Sequence, residues 1–458
     1  MKDMNNLTST SWEDHIVYAG DHQKSIKEAP NPEEHREHIE PWLSALLQAE
    51  HLNLLVGSGL TIALAHAAKT FPVDMGPMHF RIKCARAVQE LVEESAKRIG
   101  RGKPNIEDQV RVVLDLIAGL QVIAKGATRA SCQDAFFNEA KKILPIWEAK
   151  LDKMLISLLK GVLATERGIY NTLIDVKDVE RANQVNRLLG GLLLPFASRT
   201  GTRDRLHIFT TNYDRLIEYG CDMLGLRVID RFVGNLAPMF QSSRLKIDLH
   251  YNPPGIRGEP RYLEGVVYYT KLHGSVDWRY QRGLSGAMEV HRCALPFGAA
   301  NDHPEVPKKA SDTVLIYPNP AKDIETLEYP YAELFRDFAA AVCRPNAVIA
   351  TYGYGFGDDH VNRVLADMLT IPSTHLVIMS WDTAGGRIER FCKYIGRDEQ
   401  ITLLVGSHFG DLQTLIKYYL PKPAIDRTTW HMMDLLKRRA RPHNLADEDN
   451  LESQEYQD

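Results

Sequence analysis

The sequence predicts an α/β protein: a parallel sheet with helices on both faces, carrying a large helical insertion. In the second half of the chain, short apolar runs of β-prone residues alternate with amphipathic helical patterns, which is typical of βαβ units. One further apolar run lies near residue 50, and a long, almost purely helical stretch separates it from the others. These observations indicate one sheet whose first two core strands are far apart in sequence.

Each predicted strand rests on its own apolar run. The runs cover residues 51–56, 206–211, 266–272, 312–317, 346–352, 374–380 and 401–405. Helical patterns lie between the last four, such as Val361, Val364 and Leu365, which fall on one face of a helix. Strands that are apolar throughout are buried on both faces, as in a Rossmann-like parallel sheet covered by helices.

The region from about 80 to 200 is predicted to be a helical insertion between the first and second core strands. One apolar stripe at helical spacing is formed by Val110, Val113, Leu114, Ile117 and Leu120. A second stripe begins at Leu151 and ends at Val162. Such stripes are the buried faces of packed helices.

We expect the sheet and its insertion to form one domain over residues 41–425. Residues 1–40 are mostly polar and without periodicity, so they are predicted to be an arm that contacts an oligomer partner or another protein. Residues 426–458 contain a short basic helix and an acidic tail that is predicted to be disordered. The basic run could also be a nuclear signal, but cations near a helix C-terminus are the commoner explanation.

Composition excludes several classes of protein. The chain has 458 residues and a net charge of −4, which gives no indication of a nucleic-acid surface. Its six cysteines lie far apart without a CxxC pair, which argues against a disulfide scaffold and a Cys-rich zinc site. No apolar run reaches the ~18 residues of a membrane helix, and the start lacks the apolar core of a signal peptide. We therefore expect a cytoplasmic protein.

The first core strand ends in a glycine-rich turn, Gly57-Ser58-Gly59-Leu60-Thr61. Glycines let a backbone approach a phosphate, and the following helix N-terminus supplies free N–H groups. The alternative is that the glycines serve only the packing of a tight turn, since the full GxGxxG spacing is missing. The candidate nucleotide contacts are Gly57, Ser58, Gly59 and Thr61.

Five hydrogen-bonding residues, 210–214, follow the second core strand. In open α/β sheets ligands bind beyond the carboxyl ends of the strands, where these residues are expected to lie. The amide of Asn212 can donate and accept at once, so it can orient a water or a hydroxyl, with Thr211 and Asp214 holding it in place. A helix N-cap is the alternative, but one residue would be enough for that.

His273 stands at the end of the strand 266–272, in the stretch "TKLHGSVDW", and Gly274 after it permits a sharp turn. A lone histidine is usually structural. A histidine at the carboxyl end of a strand is better placed to be a base or a ribose contact.

The stretch "TYGYGFGDDHVN" at 351–362 is another glycine-rich turn at a strand end, where carboxylates either bind ribose hydroxyls or cap the next helix. The candidate contacts are Gly353, Phe356 and Asp359, and Ser407 after the last strand is a further one. Neighbours such as Asp358, Asp359 and His360 would point in different directions on a helix, so no metal site is predicted. One long site across the sheet edge suits a dinucleotide.

At these motifs the sequence resembles the sirtuin superfamily. GSGLT resembles the family's GAGxS loop, TTNYD its TQNxD motif, and KLHGS the ELHGS motif that carries the catalytic histidine. GYGFGDDHVN resembles the late ribose loop, and most closely its form in bacterial sirtuin-like proteins of anti-phage defence. Those proteins also carry a helical insertion with an NIED-like stretch, present here at 105–108. The resemblance covers about 45–420.

The resemblance implies that NAD+ is the substrate and that the protein is an NAD+ glycohydrolase of abortive infection. Asn212 would orient the attacking water or the ribose hydroxyls, His273 would act as base, and Asp214 would support Asn212. The four-Cys zinc module of sirtuin deacylases is missing, so protein deacylation is less expected. A non-catalytic sensor that binds NAD+ or ADP-ribose is the main alternative.

A free NADase would harm its own cell, so the resemblance also implies control by assembly. We expect a homo-oligomer, with a separately encoded hexameric ATPase of the HerA type or another phage-sensing protein as its candidate partner. The helical insertion and the N-terminal arm are the expected contact surfaces. No membrane partner and no direct nucleic-acid binding are expected.

Overall fold

A computed structural model shows a mixed α/β fold with one large, mostly parallel sheet. It describes residues 12–28, 30–72, 76–98, 104–126, 135–199, 203–242, 248–251, 261–283, 288–309, 313–315 and 329–422. Within these ranges, no helix has the length and apolar character needed to cross a membrane. The predicted basic helix and acidic tail at 426–458 lie outside the described residues.

The secondary-structure elements alternate as the sequence indicates, with additional strands. The strands are β1 (His15–Ala19), β2 (His22–Ile26), β3 (His51–Val56), β4 (His207–Thr210), β5 (Arg227–Ile229), β6 (Phe232–Val233), β7 (Met239–Phe240), β8 (His250–Tyr251), β9 (Arg261–Tyr262), β10 (Val266–Lys271), β11 (Gly274–Arg282), β12 (Met288–Arg292), β13 (Thr313–Leu315), β14 (Ala347–Tyr352), β15 (His375–Ser380) and β16 (Ile401–Val405). The helices are α1 (Pro32–Leu46), α2 (Ser58–Ala67), α3 (Ala85–Arg98), α4 (Ile106–Gly126), α5 (Ala135–Leu173), α6 (Val179–Ala197), α7 (Leu216–Met223), α8 (Tyr331–Val342), α9 (Asp359–Met368), α10 (Arg387–Ile395) and the short α11 (Leu412–Thr414).

The large sheet has the strand order β2-β1-β16-β15-β14-β3-β4-β10-β5. The seven strands from β16 to β5 are parallel, and only β1 and β2 run against their neighbours. From β3 the chain passes outward through β4 and β10, then returns to β14 on the other side of β3. The order of the strands therefore reverses between β3 and β14.

Both faces of this sheet are buried. On one face Leu54 and Val56 join a core with residues of α2, α6 and α7. On the other face Leu55 joins a core that includes residues of α8, α9 and α10. Alternate residues of one strand thus enter different cores, which explains why its apolar run is unbroken. The predicted α/β class with a large parallel sheet is confirmed.

The N-terminal region differs from the separate arm that the sequence predicts over residues 1–40. β1 and β2 form a hairpin, and β1 pairs with β16 of the same chain. The predicted arm is therefore part of the sheet over residues 15–26, and its contact with a partner stays a prediction. All five residues of β1 are buried, whereas β2 is polar and only partly buried because it forms the edge of the sheet. Helix α1 also crosses the predicted boundary at residue 40.

A second, antiparallel sheet has the order β13-β11-β12-β7-β6. The predicted strand at 312–317 belongs here rather than to the parallel sheet, because β13 pairs antiparallel with β11. The chain enters this sheet directly from β10, through Leu272 and His273. Gly274 makes the change of direction with φ +85°, a conformation that favours glycine.

The described residues of the insertion region between β3 and β4 are mainly helical, with short connecting segments. Helices α3, α4 and α5 share a core around Trp147, which is fully buried. Asn105 and Asp108 cap the start of α4 reciprocally, since the side chain of each accepts a 3.0 Å hydrogen bond from the backbone N–H of the other. The 105–108 stretch therefore has a structural role within the insertion.

The free energy of unfolding is expected to decrease as the pH is lowered, because of His207, the first residue of β4. Burial lowers the pKa of its imidazole to about 3, with a smaller contribution from Arg231. The unfolded chain, with a histidine pKa of about 6.5, takes up the proton first. The free energy of unfolding therefore does not depend on the protonation of His207 above pH ~6.5. Between pH ~6.5 and pH ~3 it decreases by about 1.4 kcal/mol for each pH unit.

Urea unfolding of wild type and His207→Gln at pH 7 and pH 5 checks this prediction. The wild type should lose about 2 kcal/mol more than the variant between the two pH values. His66→Gln, at an exposed position near the end of α2, should behave as wild type. Equal pH dependence in His207→Gln and wild type would contradict the assignment.

Candidate functional site

Four neighbouring strands of the large sheet end at one level. Lys271, Thr210, Val56 and Tyr352 are register partners in a continuous row across β10, β4, β3 and β14. The turns that follow these four residues therefore leave the sheet side by side. These turns and the first residues of α2 contain the predicted site residues Gly57, Ser58, Gly59, Thr61, Thr211, Asn212, Asp214, His273 and Gly353.

Asn212 is held by its side-chain nitrogen. Its Nδ2 donates to the carbonyl oxygen of Gly57 at 3.0 Å and to Oγ1 of Thr61 at 3.2 Å. A carbonyl oxygen only accepts, so the amide nitrogen must face Gly57. The acceptor Oδ1 is then fixed on the other branch of the amide. The turn is fixed as well, because the Asn212 N–H donates to Oγ1 of Thr210 at 3.0 Å.

Thr61 connects Asn212 to Asp214. Its hydroxyl donates to Oδ2 of Asp214 at 2.6 Å and accepts from Asn212. Oδ1 of Asp214 accepts from the N–H of Leu216 at 3.2 Å, at the start of α7. Asp214 therefore orients the Thr61 hydroxyl, and the hydroxyl orients the amide. This chain of hydrogen bonds supports a positioning role for Asp214.

Thr61→Val is expected to lower turnover of the proposed reaction about tenfold, because it removes the hydroxyl that joins Asn212 to Asp214. That loss corresponds to about 1.4 kcal/mol, within the range of one hydrogen bond. Thr61→Ser keeps the hydroxyl and should retain most of the activity. Turnover and thermal unfolding of both variants are the measurements, and equal turnover of the two would contradict the prediction.

The glycines of the two loops pack against each other. A Cβ on Gly57 would lie 2.4 Å from the carbonyl oxygen of Gly353, and one on Gly59 would lie 2.5 Å from its Cα. Gly353 has φ +60°. The N–H of Gly59 also donates to the Gly353 carbonyl at 3.0 Å. Close packing thus accounts for these glycines, and their contact with a phosphate stays a prediction.

His273 faces a second histidine. Its Nε2 lies 2.9 Å from Nε2 of His360, and only 4% and 7% of the two residues is exposed. The ring of Phe335 packs edge-on against His360, with the centroids 4.8 Å apart. His360 is the second residue of α9, so the ribose-loop stretch and the KLHGS stretch meet at these two imidazoles.

Other predicted contacts lie in different environments. Ser58, Asp359 and Ser407 are exposed, and Ser407 follows β16, two strands away from β14. Phe356 is 3% exposed and packs against Tyr354 and Phe391 in the core. The structure accounts for Phe356 through packing, and its contact with a ligand stays a prediction.

His360 was not among the predicted contacts, although its position in the helical repeat places it on the buried face of α9. It lies on the same face of α9 as the buried residues Val361 and Leu365, whereas Asp359 lies on the exposed face with Arg363. A histidine that continues an apolar stripe is directed into the protein. Its partner could not be predicted, because the two histidines are 87 positions apart.

A buried ion pair connects the site turn to the insertion. Arg215, next to Asp214, bonds with its guanidinium to Glu166 of α5 and to the carbonyl oxygens of Leu295 and Pro296. Glu166 also accepts from the N–H of Gly298 at 3.2 Å. Burial raises the pKa of the Glu166 carboxyl, and Arg215 opposes that shift.

The fold and the site define an α/β protein with a polar site at the carboxyl ends of its central strands. No family model matches the sequence, and no curated protein matches it. The strand-end turns bring together an oriented amide at Asn212 and an imidazole pair at His273 and His360.

Proposed function

We propose that the chain is a sirtuin-like NAD+ glycohydrolase with a Rossmann-like fold. The observation that supports this most strongly is the register of the central strands. Asn212 and His273 each stand two residues beyond the register pair Thr210 and Lys271. The two side chains of the proposed chemistry therefore leave neighbouring strands at equivalent positions.

The topology supports a dinucleotide ligand. In open α/β sheets ligands bind at the carboxyl edge where the strand order reverses. That reversal lies between β3 and β14, next to Asn212, whose amide bonds to Gly57. The polar turns span several strands from this point, which suits a ligand as long as NAD+.

The proposed reaction is NAD+ + H2O → nicotinamide + ADP-ribose + H+. The bond between nicotinamide and ribose breaks through an oxocarbenium-like state, as glycosidic bonds generally do. The nicotinamide ring is cationic in NAD+, so it needs no acid to leave. Oδ1 of Asn212 accepts a hydrogen bond from the water or a ribose hydroxyl, and His273 takes the proton of the attacking water.

The proposed cellular role is that of a cytoplasmic effector of abortive infection that depletes NAD+ once activated through assembly. The homo-oligomer and the HerA-type ATPase or other phage sensor belong to this proposal through the resemblance. Exposed apolar side chains on the insertion are suitable contacts for such an assembly, among them Leu91, Val122 and Ile146.

Incubation of the purified protein with NAD+, followed by chromatography of the products, tests the proposal. We expect nicotinamide and ADP-ribose in equal amounts. Detection of cyclic ADP-ribose as the product would show that the reaction is cyclisation and not hydrolysis. Tight binding of NAD+ in calorimetry without turnover under all activating conditions would show that the protein is a sensor. Release of acyl-ADP-ribose from an acylated peptide would establish a deacylase.

A further inference from the structure

We propose that His273, His360 and Asp358 form a binding site for a divalent transition-metal ion, with Zn2+ as the preferred ion. One nitrogen of each histidine and one carboxylate oxygen of Asp358 lie within 4.8 Å of one another. Among the described residues, these three are the one group of His, Cys, Asp or Glu side chains that converges in this way. They come from two separate strand-end turns, 273 and 358–360.

The donor set determines the class of ion. Two imidazole nitrogens and one carboxylate oxygen suit Zn2+ and its neighbours, whereas Mg2+ and Ca2+ prefer oxygen ligands alone. Three protein ligands leave a fourth position of a tetrahedral Zn2+ site for water. The nitrogens of His273 and His360 are 2.9 Å apart. Tetrahedral binding at about 2.0–2.1 Å would place them roughly 3.4 Å apart, so the pair needs to open by only ~0.5 Å.

The carboxylate of Asp358 does not cap the helix that follows it. Asp358 is the N-cap residue of α9, yet its side chain makes no capping hydrogen bond. The equivalent residues Asp178 and Asp411 do cap their helices, to the N–H groups of Arg181 and Thr414. The carboxylate of Asp358 lies toward the two imidazoles instead.

The facing nitrogens of the two histidines are suited to a metal ion that accepts a lone pair from each. When two imidazole nitrogens face each other, one must carry a proton and the other a lone pair, and their hydrogen bond uses only one lone pair. A metal ion binds both lone pairs at once. Because that ion occupies Nε2 of His273, it should also stop NAD+ cleavage. The metal site stands without the proposed function, whereas this inhibition rests on it.

Titration of the chelator-stripped full chain with Co2+ and Zn2+ tests the site without any NAD+. We expect one equivalent of Co2+ with visible d–d absorption, displaced by Zn2+. His360→Gln and Asp358→Asn should each weaken binding at least about tenfold. Asp359→Asn, on the exposed side of the same helical turn, and the surface variant His66→Gln should leave the affinity unchanged.

The proposal is overturned if the wild type shows no stoichiometric binding, or if binding is the same in His360→Gln and Asp358→Asn while circular dichroism shows both to be folded. NAD+ cleavage by the stripped protein is measured separately. Metal binding without any cleavage would overturn the proposed function alone, and cleavage without metal binding would overturn the metal site alone. Cleavage that persists with one bound Zn2+ would overturn the inhibition.

Discussion

Replacing Asn212 with alanine is expected to slow NAD+ cleavage by about a hundredfold or more, because it removes the group that orients the water or the ribose. Losses of this size follow removal of one preorganised hydrogen-bonding group at a reacting centre. The amide is preorganised here by two hydrogen bonds, to Gly57 and Thr61. Turnover at saturating NAD+ is the measurement, together with the dissociation constant of NAD+.

Asn186→Ala is the matched control, since Asn186 accepts a 3.0 Å hydrogen bond from Tyr219 in a partly buried position on α6. It should keep turnover within about twofold, because its hydrogen bond is with Tyr219 and not with a residue of the site turns. Full activity in both Asn212→Ala and His273→Ala would remove the basis of the catalytic assignment. Unchanged turnover with weaker NAD+ binding would instead make Asn212 a contact of the ground state.

The second large effect is expected on stability, in Glu166→Gln. The side chain of Glu166 is fully buried and pairs with Arg215, whose side chain is 8% exposed. Removing one partner of such a pair leaves the other charge buried without compensation and costs about 3–5 kcal/mol. The free energy of unfolding from denaturant titration is the measurement.

Glu180→Gln provides the control for this variant. Glu180 pairs with Arg187 on the surface, with side-chain exposures of 84% and 66%. Exposed pairs contribute at most about 1 kcal/mol, so this variant should unfold almost as the wild type does. The double variant Glu166→Leu/Arg215→Met should recover part of the loss, because it buries no charge. Equal unfolding free energies of Glu166→Gln and Glu180→Gln would contradict the prediction.

The central strands were predictable because their burial is visible in the sequence. A strand covered by helices on both faces must be apolar at every position, and the run at 51–56 shows this almost without interruption. The N-terminal hairpin had no such signal. Within the part of the chain that the structure describes, β2 pairs with a strand on one side only, which accounts for its polar sequence, and such a strand resembles a polar arm.

The shortest strands of the second sheet were missed for a different reason. Strands of two or three residues, such as 232–233 and 239–240, are too short to show a period of two. For the site, the ends of the parallel strands were predictable because each apolar run stops at a polar turn. The pairing of His273 with His360 depends on tertiary contacts between distant turns, which no local pattern records.

The place of β1 beside β16 has a consequence for how the chain is made. β1 pairs in the sheet with β16, which follows it about 390 residues later in the sequence (Ile16 with Val405). β1 therefore cannot pair with β16 until residue 405 has been synthesised, and closing so long a loop slows folding. Until then β1 exposes an apolar edge, so a chain released before residue 405 is expected to aggregate.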